Sequence, residues 1–229
     1  MPKTCSERAA PETTRVVLHG PTMGTRWSAT CELAPQIDAR ALQRDLAATV
    51  ERVDAQMSPW RSDSCLVQLN QAPVGAWFAL TPEMLQILAC ALDIGRLSQG
   101  AFDIGVGALV DAWGFGAARS APDASAIRAA RALAHGPAHE TLELDLHAGR
   151  ARKLAPLQID LCGIAKGYAV DRMAEVLQHH GVAQALAALD GELVPAFGLR
   201  PVRLDAPALV VKTADVVRRA GVAPIGGKP

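Results

Sequence analysis

The chain is organised around residues 157–181, which have the sequence LQIDLCGIAKGYAVDRMAEVLQHHG. Leu157, Ile159 and Leu161 alternate with two polar residues, the second of which is Asp160. Alternation with a period of two is typical of a strand that buries one face. This segment therefore predicts a short strand, with Asp160 pointing away from the apolar face near the turn that follows.

The second part of the same stretch predicts an amphipathic helix that begins after Gly163 and ends near Gly181. Its apolar residues recur at helical spacing, at Ala165, Ala169, Met173, Val176 and Leu177. Gly181 is a candidate helix terminator, because glycine readily adopts the positive φ that ends many helices.

A strand that leads into a helix predicts an anion site at the turn. The free N–H groups and the dipole of a helix N-terminus both favour negative charge there. Asp160 just before this helix and Lys166 just inside it are placed to serve a phosphate and its metal ion. Two nucleotide motifs are excluded, since CGIAKG lacks the first glycine of GxGxxG and GxxxxGK[ST] is absent.

Length and composition predict a soluble globular domain of ordinary kind. The 229 residues are 50% hydrophobic and 20% charged, which disfavours disordered and fibrous classes. Lys and Arg number 23, as do Asp and Glu, and aromatic residues make up 4%. This charge balance and the scarcity of stacking side chains argue against nucleic acid as a partner.

The five cysteines are widely scattered, and no CxxC pair occurs. An odd number cannot pair fully within the chain, so we expect mostly buried free thiols in a reducing compartment. A disulfide is the alternative if the protein is exported. Cys162 is expected to be a small buried thiol rather than a nucleophile, because no histidine lies nearby to activate it.

The N-terminal sequence predicts a polar leader over residues 1–14. It lacks the apolar core of a secretory signal, and no run in the chain approaches the roughly 18 apolar residues of a membrane span. These features predict no transmembrane segment and no export signal, and a cytoplasmic location if residue 1 is the true start. A lipoprotein cysteine at Cys5 is a minor alternative.

Periodicity elsewhere predicts both helices and strands. Helices are expected over 37–57, from Thr81–Pro82 to about 97, and from Asp123 or Ser125 to about 136. Strands are expected over 16–18, 26–33, 142–146 with a hairpin back to 150–153, and 185–189. Residues 19–25 are expected to form a turn or loop, and the tail predicts a strand over 208–211 and a short helix over 214–220. The hairpin-like neighbours and the lack of regular βα alternation predict an α+β fold with a mixed, largely antiparallel sheet and packed helices.

Four segments in this order resemble the ApbE family of flavin transferases. They are PTMGTRW at 21–27, MSPWRSDSCLVQLN at 57–70, GAFDIGVGALVDAWGFG at 100–116 and IDLCGIAKGYAVDRMAEVL at 159–177. The resemblance covers residues 15–200 and implies an ApbE-like, T-fold-like domain. It implies Mg²⁺-dependent transfer of FMN from FAD to a Thr or Ser hydroxyl of a target flavoprotein, with release of AMP.

The resemblance also implies site residues. Those that would contact FAD are Met23, Trp60, where the family usually has tyrosine, Ala101, Phe102, Asp103, Asp160 and Lys166. Asp160 and Lys166 would be catalytic, and the backbone of Gly163 would contribute to a Mg²⁺ site. Taken singly, the two aspartates are also compatible with capping, the two aromatic rings with core packing and Lys166 with a solvated surface lysine. The glycines of 100–116 suit either close approach to a ligand or a turn-rich connection.

Several positions depart from the family pattern. The family's C-terminal segment with most of its metal ligands is not found after residue 200, so the domain is expected to be C-terminally incomplete, with a divergent tail over 201–229. Asp190–Gly191 stands where a Gly–Gly pair is expected, Gly105 where threonine is frequent, and Cys162 where the family has glycine. A catalytically impaired FAD-binding remnant is therefore the alternative function, and a fragment that does not fold is a third possibility.

The resemblance implies a protein partner as well. This would be an acceptor flavoprotein with a Thr or Ser flavinylation site, such as a subunit of a redox-driven ion pump. Family members are often periplasmic and anchored to the inner membrane, so the compartment stays open.

Overall fold

The computed structural model of the chain describes residues 12–116, 121–132 and 136–196. In these ranges the strands are β1 (Thr14–Thr22), β2 (Thr25–Leu33), β3 (Phe78–Ala79), β4 (Leu142–Asp145), β5 (Arg150–Lys153), β6 (Gln184–Leu189) and β7 (Glu192–Ala196). The helices are α1 (Ala39–Met57), α2 (Cys65–Gln71), α3 (Pro82–Leu97), α4 (Gly107–Ala112), α5 (Ala124–Ala132), α6 (Ala138–Thr141) and α7 (Cys162–His179). A 3₁₀ turn over Ile104–Val106 precedes α4.

The strands form two sheets, one in the order β1-β2-β6-β7 and one in the order β3-β5-β4. Every strand pair in the described ranges is antiparallel. In β2, Trp27, Ala29 and Cys31 are buried, as their alternation with polar residues predicts. The predicted α+β class with a largely antiparallel sheet is confirmed.

The first hairpin is longer than predicted. Strands β1 and β2 extend into residues 19–25, which we expected to be a loop, and Thr22 pairs with Thr25. Only Met23 and Gly24 form the turn, with φ of 45° and 70°. Two consecutive residues with positive φ are typical of the type I′ turn, whose twist matches that of antiparallel strands. The glycine therefore marks a tight turn within a long hairpin.

The helices predicted over 37–57, from Thr81–Pro82 to about 97, and between Gly163 and Gly181 are confirmed. The side chain of Asp38 accepts hydrogen bonds from Arg40 N and Ala41 N at the start of α1, and Thr81 accepts one from Met84 N at the start of α3. Helices α1 and α7 pack against each other and against the four-stranded sheet. Of the helix predicted from Asp123 or Ser125 to about 136, the structure describes Ala124–Ala132, and residues 133–135 lie outside the described residues. Ala138–Thr141 forms α6.

Residues 157–161 are not a strand of either sheet, so that prediction was wrong. Ile159 and Leu161 are buried, as the alternation indicates, but the main chain has irregular partners. The side chain of Asn70 donates from Nδ2 to Ile159 O (2.9 Å) and accepts from Ile159 N at Oδ1 (2.8 Å). An amide side chain thus makes the two bonds that a neighbouring strand would make.

Two further main-chain bonds hold the same segment against the 3₁₀ turn and α4. Asp160 N donates to Ile104 O (2.8 Å), and Gly107 N donates to Gln158 O (3.0 Å). A Cβ atom at Gly107 would lie 2.7 Å from Gln158 O, so this position admits only glycine without a shift of the backbone. The glycine permits close approach of the chain to itself rather than to a ligand.

Asn70 is itself fixed by a buried lysine. Lys153 of β5 is 5% exposed, and its Nζ donates to Asn70 O (2.5 Å) in the last turn of α2. A cation at a helix C-terminus is favourable because the last carbonyls have no partners within the helix. Burial lowers the pKa of Lys153. Residues 65–71, 150–153 and 157–161 are therefore linked through one residue, Asn70.

The predicted strand over 208–211, the predicted helix over 214–220 and residues 1–11 of the predicted leader lie outside the described residues. Among the described helices, none combines the length and apolarity needed to cross a membrane. None of Cys31, Cys65, Cys90 and Cys162 forms a disulfide within the described ranges, as expected. Cys31 is buried, whereas the other three are only partly buried, which is less than expected.

We predict that Asn70→Ala lowers the free energy of unfolding by about 2–4 kcal/mol, because it leaves the buried N–H and C=O of Ile159 unpaired. Urea unfolding followed by circular dichroism measures the change. Gln71→Ala, an exposed neighbour, is the control and should change stability by less than about 0.5 kcal/mol. Equal losses in the two variants would contradict the role assigned to Asn70.

Candidate functional site

A small cleft lies at one end of the four-stranded sheet. Its volume is about 450 Å³, and it is lined by Met23, Gly24, Thr25, Asp54, Ser58, Trp60, Arg61, Lys166 and Asp190. These residues come from the β1–β2 turn, the end of α1, the loop after it, the second turn of α7 and the β6–β7 turn. Strands β2 and β6 are antiparallel neighbours, and Trp27 pairs with Leu189, so the two turns lie at the same end of the sheet.

The loop after α1 presents an indole ring to the small cleft. Ser64 is fully buried, donates from Oγ to Ser58 O (2.7 Å) and accepts from Val67 N at the start of α2 (3.1 Å). Trp60 N donates to Ser58 Oγ (3.3 Å). The backbone of the loop is therefore anchored, while the Trp60 side chain is 41% exposed. An exposed ring on an anchored loop is available for stacking.

Arg61 lies beside this ring within a group of acids. Its guanidinium contacts Glu51 Oε1 (2.5 Å), Asp63 Oδ1 (3.4 Å) and Asp54 Oδ2 (3.5 Å). Hydrogen bonding to Arg61 holds the pKa of Asp63 below its usual value. Asp54 Oδ1 is buried and has no hydrogen-bond partner in the described ranges. The positive charge of Arg61 is thus largely neutralised by protein groups.

Lys166 is the second cation of the small cleft, and it forms an ion pair with Asp190. The other carboxylate oxygen, Asp190 Oδ1, accepts a hydrogen bond from Thr25 Oγ1 (3.2 Å). The hydrogen bond and charge of Lys166 lower the pKa of Asp190. Lys166 is the fifth residue of α7, so it lies in the second helical turn, slightly further into the helix than the sequence predicts.

A large cleft of about 850 Å³ is lined by both acids that the resemblance implies, Asp103 and Asp160. Asp103 Oδ1 accepts from Gly105 N (2.8 Å) and Ala138 N (3.0 Å), and Asp160 Oδ1 accepts from Cys162 N (2.8 Å). Each aspartate therefore caps a local turn with one carboxylate oxygen, which is the simple structural role considered above. Both side chains also line the large cleft.

Phe102 and Gly163 are neighbours at the start of α7. A Cβ atom at Gly163 would lie 3.4 Å from Phe102 Cε2, and the Phe102 ring packs partly buried against the core. Ala101 is exposed just before them. The eight residues implied by the resemblance therefore fall into three places, and the small cleft brings together Met23, Trp60 and Lys166.

The described ranges contain no group of three or more His, Cys, Asp or Glu side chains placed to hold a metal ion. Asp103 and Asp160 both line the large cleft, and carboxylate oxygens are ligands that Mg²⁺ accepts. Two carboxylates would be only part of the donor set of such a site. The contribution of the Gly163 backbone stays a prediction.

Comparison with known proteins identifies the family. The profile of the ApbE family matches residues 23–219. The chain belongs to the ApbE family. FAD:protein FMN transferase from Klebsiella pneumoniae (strain 342) is 34% identical over 192 residues, covering 81% of this chain and 54% of the relative. The Vibrio cholerae enzyme of the same name is 36% identical over 184 residues, covering 78% of this chain and 54% of the relative.

Solved ApbE structures have the same fold. Flavin Transferase ApbE from Vibrio cholerae matches with a TM-score of 0.75 and 34% identity over 82% of this chain and 61% of that one. Pseudomonas stutzeri flavinyl transferase ApbE, in its apo form, matches with a TM-score of 0.71 and 31% identity. The match covers 80% of this chain and 61% of that one. The chain spans about half the length of the curated relatives it matches.

Six residues that line the small cleft were not predicted as site residues in this ApbE-family chain, namely Gly24, Thr25, Asp54, Ser58, Arg61 and Asp190. Arg61 and Asp54 lie close in sequence, and the end of α1 brings them together. Asp190 was noted only as a departure from a glycine pair. An Asp-Gly pair between two strands is a signal for a type I′ hairpin, which was available in the sequence.

Cys162 begins α7 between Asp160, which lines the large cleft, and Lys166, which lines the small cleft. Burial, followed by the negative charge of Asp160, raises the pKa of Cys162 to about 12. Since the thiolate is the reactive form, a nucleophilic role is disfavoured.

We predict that iodoacetamide at pH 8 alkylates Cys162 in the folded chain more than about 100-fold slower than in urea, because the thiolate fraction is far lower than at an ordinary cysteine. Peptide mass spectrometry after timed labelling measures both rates. Labelling of folded and unfolded protein at similar rates would contradict the raised pKa.

Proposed function

We propose that this ApbE-family chain acts in FAD:protein FMN transfer, moving FMN from FAD to a Thr or Ser hydroxyl of a target flavoprotein with release of AMP. The relatives named above are FAD:protein FMN transferases. The observation that supports the proposal most directly is the small cleft, which combines the exposed Trp60 ring, Met23 and Lys166. A ring surface and a cation are what a flavin dinucleotide requires of its site.

The small cleft is compatible with part of FAD. Its volume of about 450 Å³ is in the range of small-molecule sites, so it suits one ring system with adjoining phosphate. Trp60 would stack on the ring, and Met23 would pack at its edge. Lys166 would face the pyrophosphate. Asp103 and Asp160, in the large cleft, would meet the remainder of the dinucleotide.

The reaction is a phosphoryl-type transfer at the phosphorus nearer the riboflavin. The hydroxyl oxygen of the target forms a bond to that phosphorus, the bond to the bridging oxygen breaks, and AMP takes the bond electrons. The hydroxyl proton must leave, and Asp160 is the proposed acceptor. Lys166 would neutralise charge on the pyrophosphate. Such transfers depend mainly on positioning and on charge neutralisation.

We propose that Mg²⁺ assists this reaction, with the backbone at Gly163 contributing an oxygen ligand. When bound, Mg²⁺ neutralises phosphate charge. The acceptor would be a flavoprotein with an accessible Thr or Ser, for example a subunit of a redox-driven ion pump. An exposed hydroxyl side chain is the chemical feature that the small and large clefts must admit.

We expect the 229-residue chain, incubated with FAD, Mg²⁺ and a flavin-acceptor domain, to attach flavin covalently to the acceptor. The labelled acceptor should then be fluorescent on a denaturing gel. EDTA should abolish the product if the metal is needed. The full-length Vibrio cholerae relative is the parallel positive control.

An unlabelled acceptor, with the Vibrio cholerae relative active on it, would contradict the transfer proposal. If the acceptor stays unlabelled but FAD raises the melting temperature of the chain, the protein binds FAD without transferring FMN. A stabilisation by FAD that Mg²⁺ does not change would support the same conclusion.

We predict that Trp60→Ala raises the dissociation constant for FAD about tenfold, since it removes the stacking surface, whereas Trp60→Tyr changes it less than threefold. Isothermal titration calorimetry measures both. Trp113 is 46% exposed and lies outside the small cleft, so Trp113→Ala is a matched control. Equal effects of Trp60→Ala and Trp113→Ala on the dissociation constant would show that Trp60 does not stack on FAD.

A further inference from the structure

A carboxylate of the protein already occupies the cationic end of the small cleft. Asp190 forms an ion pair with Lys166, and its second oxygen accepts a hydrogen bond from Thr25 Oγ1 (3.2 Å). All three residues line the small cleft. An incoming phosphate that approaches Lys166 therefore meets a negative charge at the same place.

The turn holds Asp190 in this position. Leu189 pairs with Glu192, so Asp190 and Gly191 form a two-residue loop with φ of 48° and 93°. These values fit a type I′ turn, in which aspartate and asparagine are tolerated at the first position. The resemblance to the family predicts glycine there, which has no side chain. The carboxylate is therefore a feature of this chain that the turn does not itself require.

The ion pair is open enough to be exchanged. The side chain of Lys166 is 28% exposed and that of Asp190 is 45% exposed. Ion pairs in contact with water contribute little to stability, whereas phosphate oxygens accept short, charge-assisted hydrogen bonds from ammonium groups. A doubly charged diphosphate can thus replace a single carboxylate at Lys166.

We propose that Asp190 is a competing anion, which pairs with Lys166 in the empty cleft and must be displaced by the diphosphate of a ligand. Asp190 thereby weakens the binding of diphosphate-containing ligands and limits how much negative charge the small cleft accepts. The identity of that ligand as FAD rests on the proposed function, but the competition at Lys166 does not.

The test compares Asp190→Asn with the unchanged chain by isothermal titration calorimetry, using FAD and inorganic pyrophosphate as separate probes. Asparagine suits the type I′ turn and keeps an acceptor for Thr25, so the variant removes mainly the charge. We expect the dissociation constants for both probes to fall about threefold to tenfold at low salt. The gain should shrink in 0.5 M NaCl because salt screens exposed charges.

Two further variants separate local competition from a general change in charge. Glu143→Gln removes one acid that is paired with Arg152 on the other sheet, and it should leave both dissociation constants unchanged. In a Lys166→Met background, Asp190→Asn should have less than about one third of its effect, since the double-mutant cycle isolates the pairwise interaction.

The proposal is overturned if Asp190→Asn weakens binding or leaves it unchanged, or if its effect persists without Lys166. It is also overturned if the chain binds neither probe. A response to pyrophosphate without any binding of FAD would support the competition and reject the proposed function. Flavin transfer by the chain, with no effect of Asp190→Asn on binding, would support the proposed function and reject the competition.

Discussion

The position of the site depends on one side chain, because Asn70 supplies both hydrogen bonds of the buried Ile159 main chain. Ile159 directly precedes Asp160, and α7 begins two residues later, at Cys162. The direction in which α7 leaves this point determines where Lys166 lies. Asn70 lies in the last turn of α2, whose first residue follows the loop that presents Trp60. One amide therefore links the loop with the aromatic ring to the helix with the lysine.

Much of the fold could be predicted from periodicity, and the exceptions have physical reasons. Helices α1, α3 and α7 have long apolar stripes, and α1 and α3 also have side-chain N-caps, so local sequence is sufficient to predict these helices. The alternation of residues 157–161 correctly indicates which side chains are buried. It contains no information about the hydrogen-bond partner, and here the partner is a side chain 89 residues away rather than a strand. Burial is a local signal, whereas sheet membership is not.

The candidate site was predictable in part for the same reason. Motif resemblance names Met23, Trp60, Asp160 and Lys166, but spacing along the chain does not indicate that Asp160 and Lys166 line different clefts. The contact of Thr25 with Asp190 depends on the antiparallel register of β2 and β6, and that of Lys166 with Asp190 depends on the packing of α7 against β6 and β7. No local pattern contains either. Turn preferences do indicate that residues 190–191 form a hairpin loop, although they do not indicate what its aspartate contacts.

Binding of an anion at this site is therefore an exchange of anions rather than the filling of an empty position. The first-turn amide of Cys162 already donates to Asp160, and Lys166 already pairs with Asp190. The two groups of α7 that most attract negative charge are thus satisfied by the chain's own carboxylates. Affinity for a diphosphate is then set by a difference, namely the strength of its new contacts minus that of the carboxylate contacts it replaces. Since the Asp190 pair is half-exposed and the Asp160 bond is part-buried, the exchange at Lys166 requires less free energy than the exchange at Cys162. A ligand phosphate should accordingly engage the lysine and leave the aspartate at the helix start in place.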